Sequence, residues 1–346
     1  MPLNINFIDP TKSNKWDEFI RNFPSYSFFH TSVWAKVLMR TYKYVPHYLV
    51  AEEGGNPKAA LPLMEVNSWL TGSRFVSLPF SDDCEPLVSN DVIFKEIFNE
   101  VIDLCKKKKL KYLEIRGGDK FFGNVLESTL SYNHILDLTY GEEQIFKKLS
   151  SNTQRNIKKA INNKVYVDLS NSYSALEEFY FLNCITRKRH GLPPQPKEFF
   201  KILYDLVLNK NKGIVIISRY NGKSIAGAIY LLVGEKALYK YGASLFEYQN
   251  LRANNLVMWE AIKYFTGRGF NEFNFGRTEY ENEGLRRFKN GWGVKEQIIK
   301  YYHYDLRKNS FIKASTETSG FINQIFKRTP LPALKIIGSV AYKHFG

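Results

Sequence analysis

The sequence of 346 residues predicts an α/β (α+β) fold with two domains of the same plan, each a mixed, mostly antiparallel sheet flanked by helices. The chain is longer than the size at which a single hydrophobic core keeps growing. A strand-turn-strand pattern occurs once in each part of the chain, and a helix-strand pattern follows it both times. Repetition of this kind indicates two structural copies.

The first repeated pattern is a hairpin. Residues 47–66, HYLVAEEGGNPKAALPLMEV, contain two apolar runs separated by Gly-Asn-Pro. Residues 213–233, GIVIISRYNGKSIAGAIYLLV, repeat this order with Asn221 and Gly222 at the turn. An Asn-Gly pair is typical of a two-residue hairpin turn whose central residues have positive φ. We therefore expect an antiparallel hairpin in each domain.

The second repeated pattern is a helix followed by a strand. Residues 91–109, DVIFKEIFNEVIDLCKKKK, have helical spacing of apolar residues and precede the strand LKYLEIRGG. Residues 254–269, NNLVMWEAIKYFTGRG, precede FNEFNFGRT in the same way. The two patterns together place the first domain at residues 1–139 and the second at residues 140–310.

A C-terminal tail, residues 311–346, follows the second domain. It contains two short apolar segments interrupted by Thr329-Pro330-Leu331-Pro332, a sequence that breaks a helix. Four basic residues lie among the apolar ones, namely Lys327, Arg328, Lys335 and Lys343. The pattern fits an amphipathic helical tail that lies on an anionic membrane surface, and it fits equally a tail that packs back onto the second domain.

The net charge of +15 is unevenly distributed. Residues 1–139 contain 16 Lys and Arg against 17 Asp and Glu, whereas residues 140–346 contain 33 against 17. The second part therefore attracts polyanions such as RNA, phosphorylated lipid and nucleotide precursors. Within it, residues 142–164 predict a helix whose polar face includes Arg155 and Lys158; that face is either a phosphate-binding surface or simply solvated.

Several functional classes are disfavoured by the composition. The N-terminal residues show no secretory leader pattern, and no apolar run approaches the roughly 18 residues needed to span a bilayer. The three cysteines, Cys84, Cys105 and Cys184, are scattered, and the six histidines have no metal-ligand spacing. We expect a cytoplasmic protein without a metal site.

An ordered series of motifs resembles the FemAB-like branch of the GNAT-related acyltransferases. The series runs FHTSVWAKVL, SLPFSDDCEPL, QRNIKKAINNKVYV, SIAGAIYLLVGEKALYKYGAS, NLVMWEAIKYFTGRGFNEFNFGRT and NEGLRRFKNGWG. Each motif is weak by itself, and their order along residues 29–293 is what makes the resemblance specific. It implies two tandem GNAT-like domains.

For the members that build peptidoglycan, the resemblance also implies transfer of an amino acid from aminoacyl-tRNA to an amine of a cell-wall precursor. It implies importance for a Phe-Lys pair near the end of the second domain, matched here by Phe288 and Lys289. Some members carry a long helical arm that contacts tRNA, and this chain has no heptad run of that length. The expected partners are aminoacyl-tRNA, a phosphate-bearing cell-envelope precursor and the anionic membrane face, and no cofactor is expected.

Acyl transfer to an amine passes through a tetrahedral oxyanion and releases a proton. We expect Lys289 to stabilise the negative charge, while Phe288 and Trp292 exclude water and stack on a base or sugar. Alternatively, both aromatics belong to the core and Lys289 is a surface residue. Asp82, Asp83 and Glu283 are candidate general bases. Candidate substrate-binding residues are Arg277, Tyr241, Trp292, Lys36, Arg155 and Lys158.

Two alternatives remain at this stage. The first is an acyl-CoA or acyl-carrier dependent N-acyltransferase that modifies an exopolysaccharide or lipid amine. The segment QNLRANNLVMWEA lacks the glycine-rich turn that holds the pyrophosphate of CoA, which weakens this alternative. The second is a basic module that binds RNA or anionic lipid without catalysis; the intact RRFKNGWG motif argues against it.

Overall fold

The computed structural model of the chain describes residues 2–313 and 320–346, without the side chains of residues 320 and 321. Residues 314–319 of the predicted tail lie outside the described residues. The chain forms two compact units. Unit 1 comprises Met1–Ser131, Ile298–Thr316 and Ala341–Gly346, and unit 2 comprises Tyr132–Gln297 and Glu317–Val340. These limits differ from the predicted boundaries at residues 139 and 310, because the chain returns to unit 1 after unit 2.

Unit 1 begins with a run of strands and short helices. Its helices are α1 (Trp16–Phe19), α2 (Ser32–Tyr42), α3 (Asp91–Lys107) and α4 (Asp119–Phe122). Its strands in this part of the chain are β1 (Leu3–Ile8), β2 (Val45–Pro46), β3 (Tyr48–Glu53), β4 (Asn56–Leu61), β5 (Met64–Val66), β6 (Arg74–Val76), β7 (Leu87–Val88) and β8 (Tyr112–Arg116). The hairpin predicted from residues 47–66 is β3–β4, which lies in the antiparallel order β1-β3-β4-β7.

The long helix of unit 1, α3, starts and ends where its sequence dictates. The Asn90 side chain accepts a hydrogen bond from the Ile93 amide over 3.0 Å, and Asp91 lies in the first turn. Lys106 and Lys107 lie in the last turn, where positive charge complements the helix dipole. Its apolar face packs into a core that includes Phe94, Ile97 and other buried residues of unit 1.

Unit 2 is built on an antiparallel meander with one parallel neighbour. Its strands are β9 (Thr129–Asp137, from residue 132 onwards), β10 (Tyr166–Ser170), β11 (Gly213–Tyr220), β12 (Lys223–Val233), β13 (Lys236–Ser244), β14 (Glu272–Asn274) and β15 (Thr278–Glu279). Its helices up to residue 290 are α5 (Gly141–Lys148), α6 (Ser151–Asn162), α7 (Tyr173–Arg189), α8 (Lys197–Leu206), α9 (Ala253–Thr266) and α10 (Glu283–Asn290). The strand order is β10-β11-β12-β13-β14-β9, antiparallel except for β13 and β14.

The predicted Asn221-Gly222 turn joins β11 and β12, with φ of 47° at Asn221 and 77° at Gly222. β12 is buried along most of its length, as expected of a central strand. α9 packs against this sheet and against α6, and residues from Leu256 to Phe265 enter the core. The predicted class, mixed sheets flanked by helices, is confirmed in both units.

The last part of the chain contains β16 (Lys295–Asp305), β17 (Ser310–Ile312), α11 (Gly320–Arg328) and α12 (Leu331–Ala341). From residue 298, β16 belongs to unit 1, where Tyr301–Asp305 pair antiparallel with Tyr112–Arg116 of β8. This pairing explains why residues 298–313 do not belong with unit 2: Tyr302 and Leu306 are buried in the core of unit 1. None of the helices in the described residues combines the length and apolar character needed to cross a bilayer.

Candidate active site

The candidate site of unit 2 forms where two neighbouring strands separate. Within the described residues, the parallel pairing of β13 with β14 is limited to Lys236–Leu238 and Glu272–Asn274. β13 continues to Ser244. The chain after β14 stays with β9 instead, since the Phe275 amide donates to the His134 carbonyl over 2.9 Å. A gap therefore opens beside the second half of β13, and the loops at such strand ends are common ligand sites.

A pocket of about 230 Å³ lies at the end of β13 and the start of α9. Its polar lining consists of Ser244, Tyr248, Gln249, Arg252, Asn254 and Asn255. Phe288 of α10 also lines it, so three elements meet here. The Asn254 side chain donates to the Ser244 hydroxyl over 3.3 Å and joins the helix start to the strand end. A small apolar wall and several polar groups are typical of a ligand pocket.

The start of α9 favours an anionic ligand. Arg252 precedes the helix with φ of 60°, and within the described residues no side chain caps this end. The first amides of a helix have no partners inside it and carry the positive end of the dipole. The exposed Arg252 guanidinium adds a full positive charge beside them. Together these groups suit a phosphate or pyrophosphate.

The Phe-Lys pair lies on α10, the helix formed by the NEGLRRFKN segment. The Asn282 side chain caps this helix by accepting from the Leu285 amide over 3.1 Å. Lys289 is only 2% exposed. Its Nζ donates to the carbonyl oxygens of Gly276 and Arg277 over 2.7 and 3.1 Å. The ammonium group therefore ties α10 to the segment between β14 and β15, in addition to any role toward a ligand.

A carboxylate also fixes α10. Glu296 accepts two hydrogen bonds from the Arg286 guanidinium, over 2.8 and 2.7 Å, and one from Asn290 over 2.9 Å. These bonds, the Arg286 bonds above all, lower the pKa of Glu296 to about 2. The Arg286 guanidinium also lies over the Tyr132 ring, 3.9 Å from its centroid. Glu296 and Tyr132 thus hold the helix that carries Lys289.

The inner contact of Glu296 is His134 on β9. Its Nε2 lies 3.1 Å from a Glu296 oxygen, and the imidazole is fully buried. The pKa of His134 is lowered, first by burial and then by the positive charge of Lys289, although Glu296 opposes both effects. An ionised carboxylate only accepts hydrogen bonds, so Nε2 carries the proton. Among the described residues, the buried Nδ1 has no hydrogen-bond partner.

The two aromatic residues of the motif have different positions. Phe288 is partly exposed and lines the pocket. Trp292 is fully buried, with ring centroids 6.0 Å from Phe288 and 6.1 Å from Phe275. The Trp292 ring packs against Phe288 from the core and does not line the pocket. Its position corresponds to the alternative in which the aromatic residues of the motif belong to the core. Gly291 between them approaches α6 so closely that a Cβ would lie 2.6 Å from Thr153 Oγ1.

Comparison with known proteins identifies this arrangement. The family described as "Acetyltransferase (GNAT) domain" matches residues 148–290, which include α6, the strand gap, α9 and the Phe288-Lys289 pair. The "Lipid II:glycine glycyltransferase" of Staphylococcus haemolyticus is 33% identical over 80 residues, covering 21% of this chain and 19% of that protein. The protein of the same name from Staphylococcus epidermidis strain RP62A is 33% identical over 83 residues, covering 22% and 20%. Residues 148–290 match the GNAT acyltransferase domain, and the chain is similar to the FemAB-like branch of these acyltransferases.

Solved structures support the fold of the chain. The crystal structure of FemX has a TM-score of 0.68 at 14% identity and covers 87% of this chain and 97% of its own. A tandem GNAT protein from the clavulanic acid biosynthesis pathway has a TM-score of 0.59 at 9% identity and covers 88% and 99%. The predicted tandem GNAT-like fold is thereby confirmed. The matched stretch is about a fifth of the length of the curated relatives.

The other predicted residues of unit 2 surround the gap unevenly. Arg277 lies directly after the gap and is partly exposed, with a guanidinium nitrogen 3.7 Å from Glu279. Tyr241 lies on the separated half of β13, and its hydroxyl accepts from Gln195 over 3.4 Å. Glu283 is exposed in the first turn of α10. Arg155 and Lys158 are exposed on α6, outside the pocket lining.

The remaining predicted residues belong to unit 1. Lys36 is half-buried on α2. Asp82 and Asp83 lie in the loop after β6, and the Asp82 carbonyl accepts from the Tyr301 hydroxyl over 2.7 Å. Asp83 Oδ1 is buried without a hydrogen-bond partner in the described part of the chain. Burial, and then Glu85, Asp82 and Asp119, raise the pKa of Asp83 to about 8.

The loop that carries Asp83 has an unusual backbone. Leu78 and Phe80 have φ of 66° and 61°, a region that bulky side chains rarely adopt. The Arg116 guanidinium bonds the carbonyls of Leu78 and Ser81, over 3.3 and 3.2 Å, and so holds the loop. Strained backbone of this type is concentrated at functional sites. The loop is therefore the feature of unit 1 that we associate with function.

Four residues of the site were not predicted from the sequence, namely His134, Glu296, Arg252 and Asn254. Glu296 had a detectable signal, because it is the single acidic residue between 284 and 300 in a strongly basic stretch. Arg252 and Asn254 lie in the segment that lacks a glycine-rich turn, so no phosphate-binding motif marks them in the sequence. His134 had no signal, since its partner lies 162 positions away.

Proposed function

We propose that this chain transfers an aminoacyl group from aminoacyl-tRNA to an amine of a phosphate-bearing cell-wall (peptidoglycan) precursor. The observation that carries the proposal is the pocket at the start of α9, with Phe288 in its wall and the buried Lys289 next to Phe288 on α10. The relatives named lipid II:glycine glycyltransferase supply the class of acceptor. The excess positive charge of residues 140–346 suits a polyanionic donor.

The donor end fits the polar side of the pocket. The terminal nucleotide of a charged tRNA carries a phosphodiester, a base and an aminoacyl ester. The α9 amides and Arg252 would hold the phosphate, and Phe288 would pack against the base or the ribose. This orientation directs the ester toward the gap beside β13.

The chemical step is attack of a neutral amine nitrogen on the ester carbonyl carbon. The C–N bond forms as the carbonyl π electrons move to oxygen. Collapse of the oxyanion then breaks the bond to the ribose oxygen, and the proton lost by the attacking nitrogen goes to that leaving oxygen. We assign the stabilisation of this negative charge to the Lys289 ammonium group, together with the polar groups at the strand gap. One well-placed donor of this kind contributes about 3–4 kcal/mol to the transition state.

A second candidate function is acyl transfer from acyl-CoA to an amine of an exopolysaccharide or lipid. The uncapped start of α9 favours it, because the same amides and Arg252 suit the pyrophosphate of CoA. Donor identity therefore separates the two functions. The chain architecture by itself is compatible with both.

The test supplies the purified chain with a lipid II acceptor and one of two labelled donors, charged tRNA or acetyl-CoA. We expect label to reach the acceptor from charged tRNA and to be abolished by ribonuclease treatment of the donor. Phe288→Ala should reduce transfer, whereas Lys210→Ala, which removes an exposed charge elsewhere in unit 2, should not. Ribonuclease-resistant transfer from acetyl-CoA would support the second candidate, and no transfer from either donor would exclude both.

A further inference from the structure

The helices α11 and α12 pack on unit 2 through one side only. On α12, Leu334 and Gly338 are buried, and a Cβ at Gly338 would lie 2.0 Å from the Pro194 carbonyl oxygen. On the side of α11, a Cβ at Gly191 would lie 2.2 Å from the carbonyl oxygen of Asn323. Such close backbone approach shows that the two helices rest on the loop that follows α7.

The opposite side of both helices exposes aliphatic side chains. Ile336 and Val340 of α12 are 66% and 56% exposed, and Ile322 and Ile325 of α11 are each 48% exposed. Residues three or four positions apart share one face of a helix. Each helix therefore presents an apolar pair to solvent, although single exposed aliphatic residues are otherwise ordinary on a protein surface.

The same segment is purely cationic. Residues 320–340 contain Lys327, Arg328 and Lys335 and no Asp or Glu. Next to α11, the end of α7 adds Arg187 and Arg189. Burial lowers the pKa of His190, and the positive charges of Arg189, Arg187 and Lys327 lower it further. Positive charge from two elements therefore converges beside the exposed aliphatic residues.

We propose that this surface, the tail face, docks on the anionic surface of a phospholipid bilayer. The tail face is defined by Ile322, Ile325, Lys327, Arg328, Ile336 and Val340. Aliphatic side chains enter the boundary between headgroups and acyl chains, while neighbouring cations contact the anionic headgroups.

Other occupants fit the tail face less well. Single-stranded RNA is bound by cations together with aromatic stacking platforms, and the exposed apolar side chains of the tail face are aliphatic. A second copy of the chain in a two-fold contact would bring like charges together. The inference goes beyond the proposed function, because lipid binding needs neither donor nor turnover.

The test measures cosedimentation of the full chain with vesicles. Vesicles of phosphatidylcholine containing about one third phosphatidylglycerol should bind the chain, and pure phosphatidylcholine vesicles should bind it at least roughly tenfold more weakly. The double variant Ile336→Ser/Val340→Ser should lose at least roughly tenfold in partitioning, and Lys327→Ser/Arg328→Ser should do the same. Matched controls in unit 1 are Val92→Ser, exposed on α3, and Lys106→Ser/Lys107→Ser at the end of that helix.

Equal binding of the wild type and both tail-face variants would overturn the proposal, as would absence of binding by a folded wild type. If the variants lose affinity for charged tRNA while keeping that for vesicles, the tail face is an RNA surface and the proposal is wrong. The variants should melt at the wild-type temperature, because the substituted side chains are exposed. If the chain binds anionic vesicles as expected but shows no transfer, the proposed function is wrong and the membrane-docking proposal stands.

Discussion

Arg286 and Glu296 form a bidentate ion pair, with Nε and Nη2 of the guanidinium 2.8 and 2.7 Å from the two carboxylate oxygens. The pair joins α10 to the start of β16. Bidentate geometry of this kind fixes orientation as well as distance. Phe288 and Lys289 lie on the same short helix. The Arg286-Glu296 ion pair therefore fixes the orientation of both residues.

The first prediction concerns Glu296→Gln. This variant should lower the free energy of unfolding by about 1–3 kcal/mol, because a charge-assisted network becomes neutral. Transfer should fall mainly in kcat, since α10 is no longer held rigidly. Thermal denaturation and steady-state kinetics measure the two effects. The exposed neighbour Glu281→Gln is the control for both, and equal behaviour of the two variants would remove the positioning role.

The pH dependence of that difference has a defined sign. The pKa of Glu296 is about 2 in the folded chain and 4.5 as its ordinary value. A lowered pKa stabilises the folded state above the ordinary value, and the stabilisation is lost as the pH falls through the folded value. The stability gap between wild type and Glu296→Gln should therefore be complete at pH 6 and should shrink between about pH 4.5 and pH 2.

The fold could be predicted from sequence because its signals are local or repeated. The hairpin at Asn221-Gly222 follows from a turn that needs positive φ, and α3 follows from spacing and caps that lie within one segment. The return of residues 298–313 to unit 1 could not be predicted in this way. It depends on pairing between β16 and β8, nearly two hundred positions apart in the chain, which no local pattern records.

The candidate site could be predicted only in part, for the same reason. The FKNGW segment pointed to α10, but burial of Lys289 depends on the carbonyls of Gly276 and Arg277, which a separate segment supplies. Trp292 and Phe288 are four positions apart on one segment, yet one is a core residue and the other lines the pocket. Composition does not distinguish such neighbours, because tertiary packing decides which of them reaches solvent.

The second prediction concerns Lys289→Met. Methionine keeps the length and apolar stem but leaves the two carbonyls without their donor, so the free energy of unfolding should fall by about 2–4 kcal/mol. Transfer by the folded fraction should fall by about 10²–10³, the usual effect of losing one oxyanion donor. Single-turnover transfer at a temperature where the variant is folded separates the two losses. Lys295→Met, exposed just after the helix, should change neither.

If folded Lys289→Met transfers at the wild-type rate, the role of Lys289 is to hold α10 in place and not to stabilise charge. Lys289→Arg adds a second distinction. Its larger planar guanidinium does not fit a site built for an ammonium group with partners 2.7 and 3.1 Å away, so stability should fall even though the charge remains.

The third prediction uses the left-handed backbone of Arg252. Arg252→Gly removes the charge and relieves positive φ, so stability should stay equal or rise by about 0.4–1 kcal/mol. Affinity for the donor should fall several-fold, because a phosphate loses a cation. Arg252→Ala removes the same charge but keeps the backbone cost. Filter binding measures the affinity for the donor. If both variants bind the donor as tightly as the wild type, the donor phosphate does not bind at Arg252.

The last prediction concerns the Asp83 loop of unit 1. The pKa of Asp83 is about 8 in the folded chain against an ordinary 3.8, because burial and three neighbouring acidic groups disfavour its charge. The folded state then holds a proton that the unfolded chain releases, so this group destabilises the fold progressively as the pH rises from about 4 to 8. Asp83→Asn keeps the neutral form at every pH. It should exceed the wild type in stability by about 1–3 kcal/mol at pH 8 and by little at pH 4.

Thermal melts across pH 4–8 measure this difference, with Glu100→Gln, exposed on α3, as the control. Parallel curves for Asp83→Asn and the wild type would show that Asp83 is ionised in the fold. Stability curves that differ at pH 8 and converge toward pH 4 would show that Asp83 is protonated in the folded chain. The protonated carboxyl group would then lie in a loop whose backbone is itself strained at Leu78 and Phe80. Such a group can donate a hydrogen bond, whereas an ionised aspartate only accepts.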